Sequence, residues 1–181
     1  MILAAGVLAA TSAYLFLPAE SRGGEFAPVS GLVMIAHAGG GLESGTYSNA
    51  REAFDASVER GFEYIEADFN WTQNGDLVLM HDWQEQYRDW FTPFERLPSF
   101  IDLSSASGAK SAAAFRAQRM RDDLTPMALH DLGAWMDQNA DISIITDVKG
   151  RNLAGLAKIG EDLERHKNRF IPQIYSPDEY D

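Results

Sequence analysis

Buried strands alternate with amphipathic helices along most of this sequence, and that alternation limits the fold more than any other feature. The strand-like runs are rich in β-branched and other apolar residues, whereas the helical segments repeat apolar residues every three or four positions. Such alternation is typical of a parallel sheet covered by helices. The predicted strands are residues 31–40, 62–72, 142–150 and 170–176, and the predicted helices are residues 48–61, 125–138 and 152–169.

Two of these helices carry recognisable start and stop signals. Ser48 or Asn49 is expected to cap the first helix, which Gly61 ends. Thr125 is expected to cap the second helix, with Pro126 in its first turn. The sequence therefore predicts these boundaries from local signals alone.

Ionisable residues recur at three of the predicted strands, and an α/β barrel places its active site at the carboxyl ends of its strands. They are His37, then Glu66 with Asp68, then Asp147 with Lys149. Only about half of a barrel's strands can be counted. The sequence therefore predicts an α/β fold, either a TIM-type (β/α)8 barrel truncated to about its first half or a smaller open sheet.

A hairpin is predicted directly after the second strand. Asn74-Gly75 is the strongest two-residue turn signal, because both residues accept the positive φ of a type I′ turn. With these two residues as the loop, Asp68 would lie opposite His81, and Glu66 would share their face. The hairpin would then gather two carboxylates and an imidazole, unless a bulge shifts the register.

Composition narrows the range of functions. The chain has 181 residues, enough for one domain with a sizeable core, and a net charge of −12. That charge opposes binding to nucleic-acid phosphates and is compatible with binding cations, so no nucleic-acid partner is expected. Cysteine is absent, which excludes a disulfide, a thiolate metal site and a cysteine nucleophile.

The amino-terminal segment differs from the rest. Residues 2–17 are apolar with only small polar interruptions, slightly short of the roughly 20 residues of a membrane span. We expect residues 1–19 to be a signal peptide or a short membrane anchor, residues 20–30 to be a linker and residues 31–181 to be the barrel domain, incomplete at its carboxyl end. The protein would then be exported or membrane-anchored. A buried strand or helix of the domain is the alternative.

A family resemblance rests on six short pieces in a fixed order: IAHAGG, YSNA, IEADF, TQNG, MHD and TDVKG. In this order they resemble the glycerophosphodiester phosphodiesterase family, within the wider group of barrel phosphodiesterases that includes phosphatidylinositol-specific phospholipase C. That family shows His-Arg-Gly, Pro-Glu-Asn-Thr, Glu-x-Asp, Thr-x-Asp-Gly, His-Asp and Glu-x-Lys. The resemblance covers residues 33 to about 176 and implies a barrel phosphodiesterase domain.

The sequence departs from the family pattern at several positions. Ala38 stands where the family has an arginine expected to contact phosphate, and Asn49 alone is kept from Pro-Glu-Asn-Thr. Asp147 replaces the usual glutamate, which makes Asp147 and Lys149 look like the Asp-x-Lys of the spider-venom type of sphingomyelinase D. The family's later strands have no counterpart.

Glu66, Asp68 and Asp147 are the candidate metal ligands. Three carboxylates without cysteine suit one hard divalent cation, Mg²⁺ or Ca²⁺, which prefers oxygen ligands. Acids are costly in buried strands unless they are paired or bind a metal. The alternative is that these acids lie at the surface or pair with Lys149 and arginines.

The two histidines are the candidate proton-transfer groups. His37 and His81 stand at the family's positions, and imidazole is the side-chain group best suited to act as a general base or a general acid near neutral pH. Lys149 would either stabilise phosphate charge or pair with Asp147. Asp82 and Asn49 are expected to orient the site residues rather than to contact the metal or the substrate themselves.

The resemblance implies a metal-dependent phosphoric diester hydrolase that acts on glycerophosphodiesters or related lipid headgroups. One histidine would deprotonate a neighbouring hydroxyl of the substrate, and the other would protonate the leaving alcohol. Two alternatives stay open. The first is sphingomyelinase D-like phospholipase chemistry, and the second is a non-catalytic, phosphate-binding or membrane-tethered remnant of the fold.

Overall fold

The computed structural model describes residues 33–91 and 108–180, and the order of elements follows the predicted alternation. The strands in these ranges are β1 (Ile35–Ala36), β2 (Tyr64–Trp71), β3 (Leu77–Leu79), β4 (Ser143–Lys149) and β5 (Phe170–Pro172). The α-helices are α1 (Arg51–Glu59), α2 (Glu85–Phe91), α3 (Ala112–Arg116), α4 (Leu129–Gln138) and α5 (Asn152–Asp162). Short 3₁₀ turns lie at His37–Gly39, Arg121–Asp123, Glu164–Arg169 and Pro177–Glu179.

Four of the strands form a parallel sheet in the order β1, β2, β4, β5. The longest pairing joins β2 to β4, from Tyr64 opposite Ser143 to Asn70 opposite Lys149. The remaining strand, β3, pairs antiparallel with β2. The predicted α/β class and the hairpin after the second strand, β2, are therefore confirmed.

The register of that hairpin was predicted wrongly. The observed pairs are Phe69 with Leu79, Asn70 with Val78 and Trp71 with Leu77. Continuing the pairing outward sets Asp68 opposite Met80, whose N–H donates to the Asp68 carbonyl at 3.0 Å. His81 is thus one position beyond the residue opposite Asp68, and a shift by one residue turns a side chain to the other face of the strand.

The turn geometry explains the shift. Only Gly75 of the Asn74-Gly75 pair has a positive φ, of 82°, so the loop is not a type I′ turn. Thr72 and Asp76 close a three-residue loop instead, with the Thr72 N–H donating to the Asp76 carbonyl at 2.9 Å. The Asp76 N–H donates to the Thr72 hydroxyl at 2.9 Å and stabilises this longer loop.

One face of the sheet, the helix-covered face, is fully packed. Its residues alternate along each strand and pack against α1, α4 and α5 through the side chains of Phe54, Trp135 and Ile159. The face consists of Ala36 of β1, Ile65, Ala67 and Phe69 of β2, and Ile144, Thr146 and Val148 of β4, all buried. Burying this apolar area is the main source of the domain's stability.

The opposite face, the open face, carries the intervening residues of the same strands. It consists of Ile35, Tyr64, Glu66, Asp68, Ser143, Ile145, Asp147, Lys149 and Ile171. Ile35 is 49% exposed and Ile171 is 41% exposed at the two edges of this face. All three candidate metal ligands therefore point away from the helices.

Two helix starts differ from the predicted ones. Thr125 does not cap α4, which begins at Leu129, because its N–H and hydroxyl both donate to the carboxylate of Glu52 at 2.8 and 2.6 Å. Neither Ser48 nor Asn49 is the residue that precedes α1, which begins at Arg51 after Ala50. A long-range partner outweighs the local signal in the first case.

The predicted signal peptide or anchor at residues 1–19 and the linker at residues 20–30 lie outside the described residues. These assignments, and the membrane association through residues 2–17, stay predictions. Within residues 33–91 and 108–180, no helix is long and apolar enough to cross a membrane.

Candidate functional site

Three carboxylates converge on the open face of β2 and β4. Asp68 and Asp147 are direct partners in the parallel register, and Glu66 lies one step back along the same face of β2. One oxygen from each side chain lies within 4.8 Å of the others. The alternation of β2 and its register with β4 therefore produce the predicted cluster of acids.

Glu66 is the most strongly perturbed of the three acids. Its Oε2 accepts the N–H of Ala38 at 2.6 Å, and its buried Oε1 has no hydrogen-bond partner among the described residues. Burial, followed by the negative charge of Asp68, raises the pKa of Glu66 to about 7. A cation bound to the unpaired oxygen would offset the cost of burying this carboxylate as a charged group.

The glycine-rich segment after β1 shapes the wall beside Glu66. Ala38 adopts a left-handed conformation with φ 50°, and its N–H donates to Glu66. Gly40 has φ 107°, and a Cβ there would meet the Ser57 hydroxyl at 2.1 Å. Only glycine fits this close approach to α1. Ala38 is buried, at 1% exposure, in the position where the resembled family has arginine.

Asn49 holds Asp68 through two hydrogen bonds. The Asn49 amide donates to Asp68 Oδ2 at 2.8 Å, and the Asp68 N–H donates to Asn49 Oδ1 at 3.1 Å. Asn49 is fully buried and has a left-handed φ of 52°, which asparagine tolerates better than most residues. The two hydrogen bonds together fix the orientation of Asp68.

Lys149 lies between two of the acids. Its ammonium is 2.9 Å from Asp68 Oδ1 and 2.7 Å from Asp147 Oδ2. Burial disfavours the ammonium, but hydrogen bonds to Asp147 and Asp68 outweigh that cost and raise the pKa of Lys149. The expected pairing of Lys149 with Asp147 is present, and the lysine remains a cation at the rim of the acidic cluster.

Tyr175 is a contact that sequence reasoning missed. Its hydroxyl donates to Asp147 Oδ1, and burial together with Asp147 raises its pKa above the usual tyrosine value. Its backbone N–H donates to Glu179 at 2.8 Å, which fixes the segment after β5. Tyr175 follows a strand end, so the same rule that selected the acids would have found it.

The two histidines line one cavity beside the acids. The cavity has a volume of about 390 Å³, and Asp68, Asp147 and Lys149 also line it. His37 Nε2 lies 3.7 Å from Glu66 Oε2, and the His37 side chain is 64% exposed. His81 reaches the cavity from the bend after β3, although the register that predicted its position was wrong.

Asp82 orients His81 and caps α2. Its Oδ2 lies 3.1 Å from His81 Nδ1, and its Oδ1 accepts the N–H of Gln84 at 2.8 Å. Burial opposes ionisation of Asp82, but these hydrogen bonds dominate and hold its pKa below the usual value. With Nδ1 engaged, Nε2 is the His81 nitrogen that can face the cavity.

The side chains present fit a hard divalent cation. The three carboxylates offer oxygen ligands only, and Glu66 Oε1 is buried without a hydrogen-bond partner among the described residues. Asp68 and Asp147 already accept hydrogen bonds, yet each carboxylate has about four lone-pair positions and can also bind an ion.

Comparison with solved structures defines the class of fold. About four-fifths of this chain matches about half of the length of glycerophosphodiester phosphodiesterase structures. The chain therefore has the fold of that class, as a partial barrel, and the predicted TIM-type architecture is confirmed.

Three particular structures illustrate the match. A glycerophosphoryl diester phosphodiesterase from Parabacteroides distasonis has a TM-score of 0.57 and 17% identity, covering 81% of this chain and 48% of that one. A glycerophosphodiester phosphodiesterase from Agrobacterium tumefaciens has a TM-score of 0.52 and 16% identity, with coverages of 80% and 58%. An Oleispira antarctica phosphodiesterase in complex with the product sn-glycerol-3-phosphate has a TM-score of 0.52 and 17% identity, with coverages of 78% and 57%.

These similarities concern the fold. The chain spans about half the length of the structures that it matches. No protein-family model matches the sequence, and no curated protein matches it.

Proposed function

We propose that this protein hydrolyses phosphoric diesters, with glycerophosphodiesters or related lipid headgroups as substrates and one divalent cation, Mg²⁺ or Ca²⁺, as cofactor. The observation that supports this most is the convergence of Glu66, Asp68 and Asp147 next to a cavity that both histidines line. The fold supports it further, because the Oleispira antarctica phosphodiesterase of similar fold was solved with sn-glycerol-3-phosphate bound.

The two histidines take the proton-transfer roles in this proposal. His37 accepts the proton of a substrate hydroxyl as its oxygen attacks phosphorus. His81 donates a proton from Nε2 to the departing alcohol oxygen as the bond between that oxygen and phosphorus breaks. The product is a cyclic phosphate, which water then hydrolyses. The Asp82 carboxylate accepts a hydrogen bond from Nδ1, so the acid form of His81 in this proposal is the imidazolium, which carries a second proton on Nε2.

The charged groups stabilise phosphate. A divalent cation held by Glu66, Asp68 and Asp147 would neutralise charge on the non-bridging oxygens of the phosphate. Lys149 adds a second positive charge at the same edge of the cavity. Asn49 keeps the Asp68 carboxylate in one orientation through its two hydrogen bonds.

The test is a hydrolysis assay on the full chain with glycerophosphocholine and glycerophosphoethanolamine. We expect turnover with Mg²⁺ or Ca²⁺, none with EDTA, and loss of turnover in Asp68→Asn. Glu59→Gln, an exposed acid on α1, makes the same change in charge and should keep full activity. Turnover that survives EDTA, or an inactive wild type, would overturn the proposal.

A sphingomyelinase D-like activity is the second candidate, because Asp147 replaces a glutamate and pairs with Lys149. Sphingomyelin and lysophosphatidylcholine in the same assay separate the two. Choline released from these lipids, with no hydrolysis of glycerophosphodiesters, would favour the second candidate.

A further inference from the structure

We propose that Gln86 is a positioning residue that sets the separation of the two histidines by bridging the chain segments that carry them. This inference rests on the proposed function, in which His37 and His81 transfer protons. Gln86 lines the same cavity as both histidines but stands outside the motifs that selected them.

The side-chain amide of Gln86 makes two hydrogen bonds in opposite directions. Its Oε1 accepts the backbone N–H of His81, and its Nε2 donates to the backbone carbonyl of Tyr47. Because the amide is one small planar group, the two backbone segments are held at a fixed separation. The carbonyl of His81 also accepts the Asn70 amide at 2.9 Å, so the backbone of His81 is held on both sides.

Tyr47 links this bridge to His37, because its ring contacts the imidazole. The rings of His37 and Tyr47 meet edge to face, with centroids 5.0 Å apart and planes 70° apart. Tyr47 has a left-handed φ of 62°, which a non-glycine residue keeps only when its surroundings hold it there. The hydrogen bond from Gln86 is one of the contacts that hold it.

The helix that presents Gln86 is itself fixed. Asp82 caps its first turn, and the neighbouring Tyr87 and Trp90 are buried. Gln86 therefore bridges the histidine segments from a rigid support, which residues that position a site require.

The chemistry of the bridge requires an amide. One end of the side chain must accept a hydrogen bond from an N–H, and the other end must donate to a carbonyl. Among side chains of this length, only glutamine offers both groups. Glutamate would accept from His81 but would place a carboxylate oxygen against the Tyr47 carbonyl. Leucine keeps the size and removes both hydrogen bonds.

The kinetic test compares Gln86→Leu and Gln86→Glu with a matched control. Gln84→Leu makes the same replacement on an exposed side chain two positions away, outside the cavity lining. We expect Gln86→Leu to lower kcat roughly tenfold to a hundredfold at nearly constant KM, because it displaces reacting groups rather than a binding contact. Gln86→Glu should fall between wild type and Gln86→Leu, and Gln84→Leu should match wild type. A rise in KM at unchanged kcat would make Gln86 a substrate-binding residue and overturn the inference.

A second readout does not depend on turnover. Nuclear magnetic resonance of isotope-labelled histidine rings should show shifts for both His37 and His81 in Gln86→Leu, with His130 and His166 unchanged. Unchanged His37 and His81 signals would overturn the inference, whatever the activity. If wild type is inactive but both signals move, the proposed function fails while the bridge by Gln86 stands.

Discussion

The two faces of the sheet are built from alternate residues of the same strands, yet they differ in almost every physical property. On the helix-covered face, Ile65, Phe69 and Ile144 are completely buried among apolar neighbours. On the open face, Glu66 and Asp68 are ionisable residues that are nevertheless buried, and the edge residues Ile35 and Ile171 stay exposed. One face stabilises the fold, whereas the other carries groups that are costly to bury.

This difference separates stability from function residue by residue. A substitution on the helix-covered face should lower the free energy of unfolding. The molecules that remain folded should keep the catalytic activity of wild type. A substitution among the ionisable groups of the open face should remove activity at little cost in stability, or even with a gain. Each prediction below tests one side of this contrast.

The largest expected effect belongs to His81. His81→Ala should lower kcat on glycerophosphocholine by about 10²–10⁴-fold, because an alkoxide leaves poorly without a proton. A nitrophenyl ester with the same glycerol group should lose far less. The melting temperature should stay near that of wild type, since the His81 side chain is half exposed. Equal loss on both substrates would remove His81 from the general-acid role.

Ile144 and Ile145 offer the sharpest test of the two faces, because they are neighbours on β4 that point in opposite directions. Ile144→Ala should destabilise the domain by about 2–5 kcal/mol, since Ile144 is fully buried. Ile145→Ala, on the open face, should cost about 1 kcal/mol or less. Urea denaturation of both variants measures the difference. Similar losses would mean that both faces contribute equally to stability.

Glu66→Gln should stabilise the metal-free protein at alkaline pH. The native pKa of Glu66 is about 7, above its usual 4.5, so its favourable contribution is complete below pH 4.5 and is lost as pH rises through 7. At pH 8 the substitution should recover on the order of 3 kcal/mol, because the amide avoids burial of a charge.

The pH profile provides the control for that variant. In EDTA, the stability advantage of Glu66→Gln should be present at pH 8 and absent near pH 4.5. An advantage that does not change with pH would show that ionisation of Glu66 is not its source.

The smallest effect concerns the turn that joins β2 to β3. Gly75 has φ 82° with open space around it, so Gly75→Ala should cost about 1 kcal/mol from backbone strain alone. Gly160 also has open space but lies in α5, and Gly160→Ala should stabilise by about 0.5–1 kcal/mol. Thermal unfolding of the pair checks both signs. A neutral Gly75→Ala would argue against the observed three-residue loop.

Much of this contrast could be predicted from the sequence. Alternation of strands and helices predicted the parallel sheet, and the period of two along β2 placed Glu66 and Asp68 on one face. Both inferences depend on local patterns that the tertiary structure keeps. Asp147 joined the same cluster because parallel neighbours in register point the same way.

The predictions that were wrong depended on contacts that local sequence patterns do not reveal. The hairpin register turned on whether Asn74 would adopt a positive φ, and the Thr72 hydroxyl bond to Asp76 favoured the longer loop. Thr125 does not cap α4, because its hydroxyl donates to Glu52, a residue 73 positions away in the sequence. Gln86 forms hydrogen bonds with the backbones of Tyr47 and His81, and no spacing of residues in the sequence predicts that bridge.

The central claim is that the acids of the open face bind one divalent cation. Calorimetric titration of Mg²⁺ and Ca²⁺ into the full chain at pH 8 tests it most directly, with Asp68→Asn as the disrupting variant and Glu59→Gln as the control. We predict one ion per chain in wild type and Glu59→Gln, and at least about tenfold weaker binding in Asp68→Asn. Equal binding by wild type and Asp68→Asn, or no binding by wild type, would contradict it.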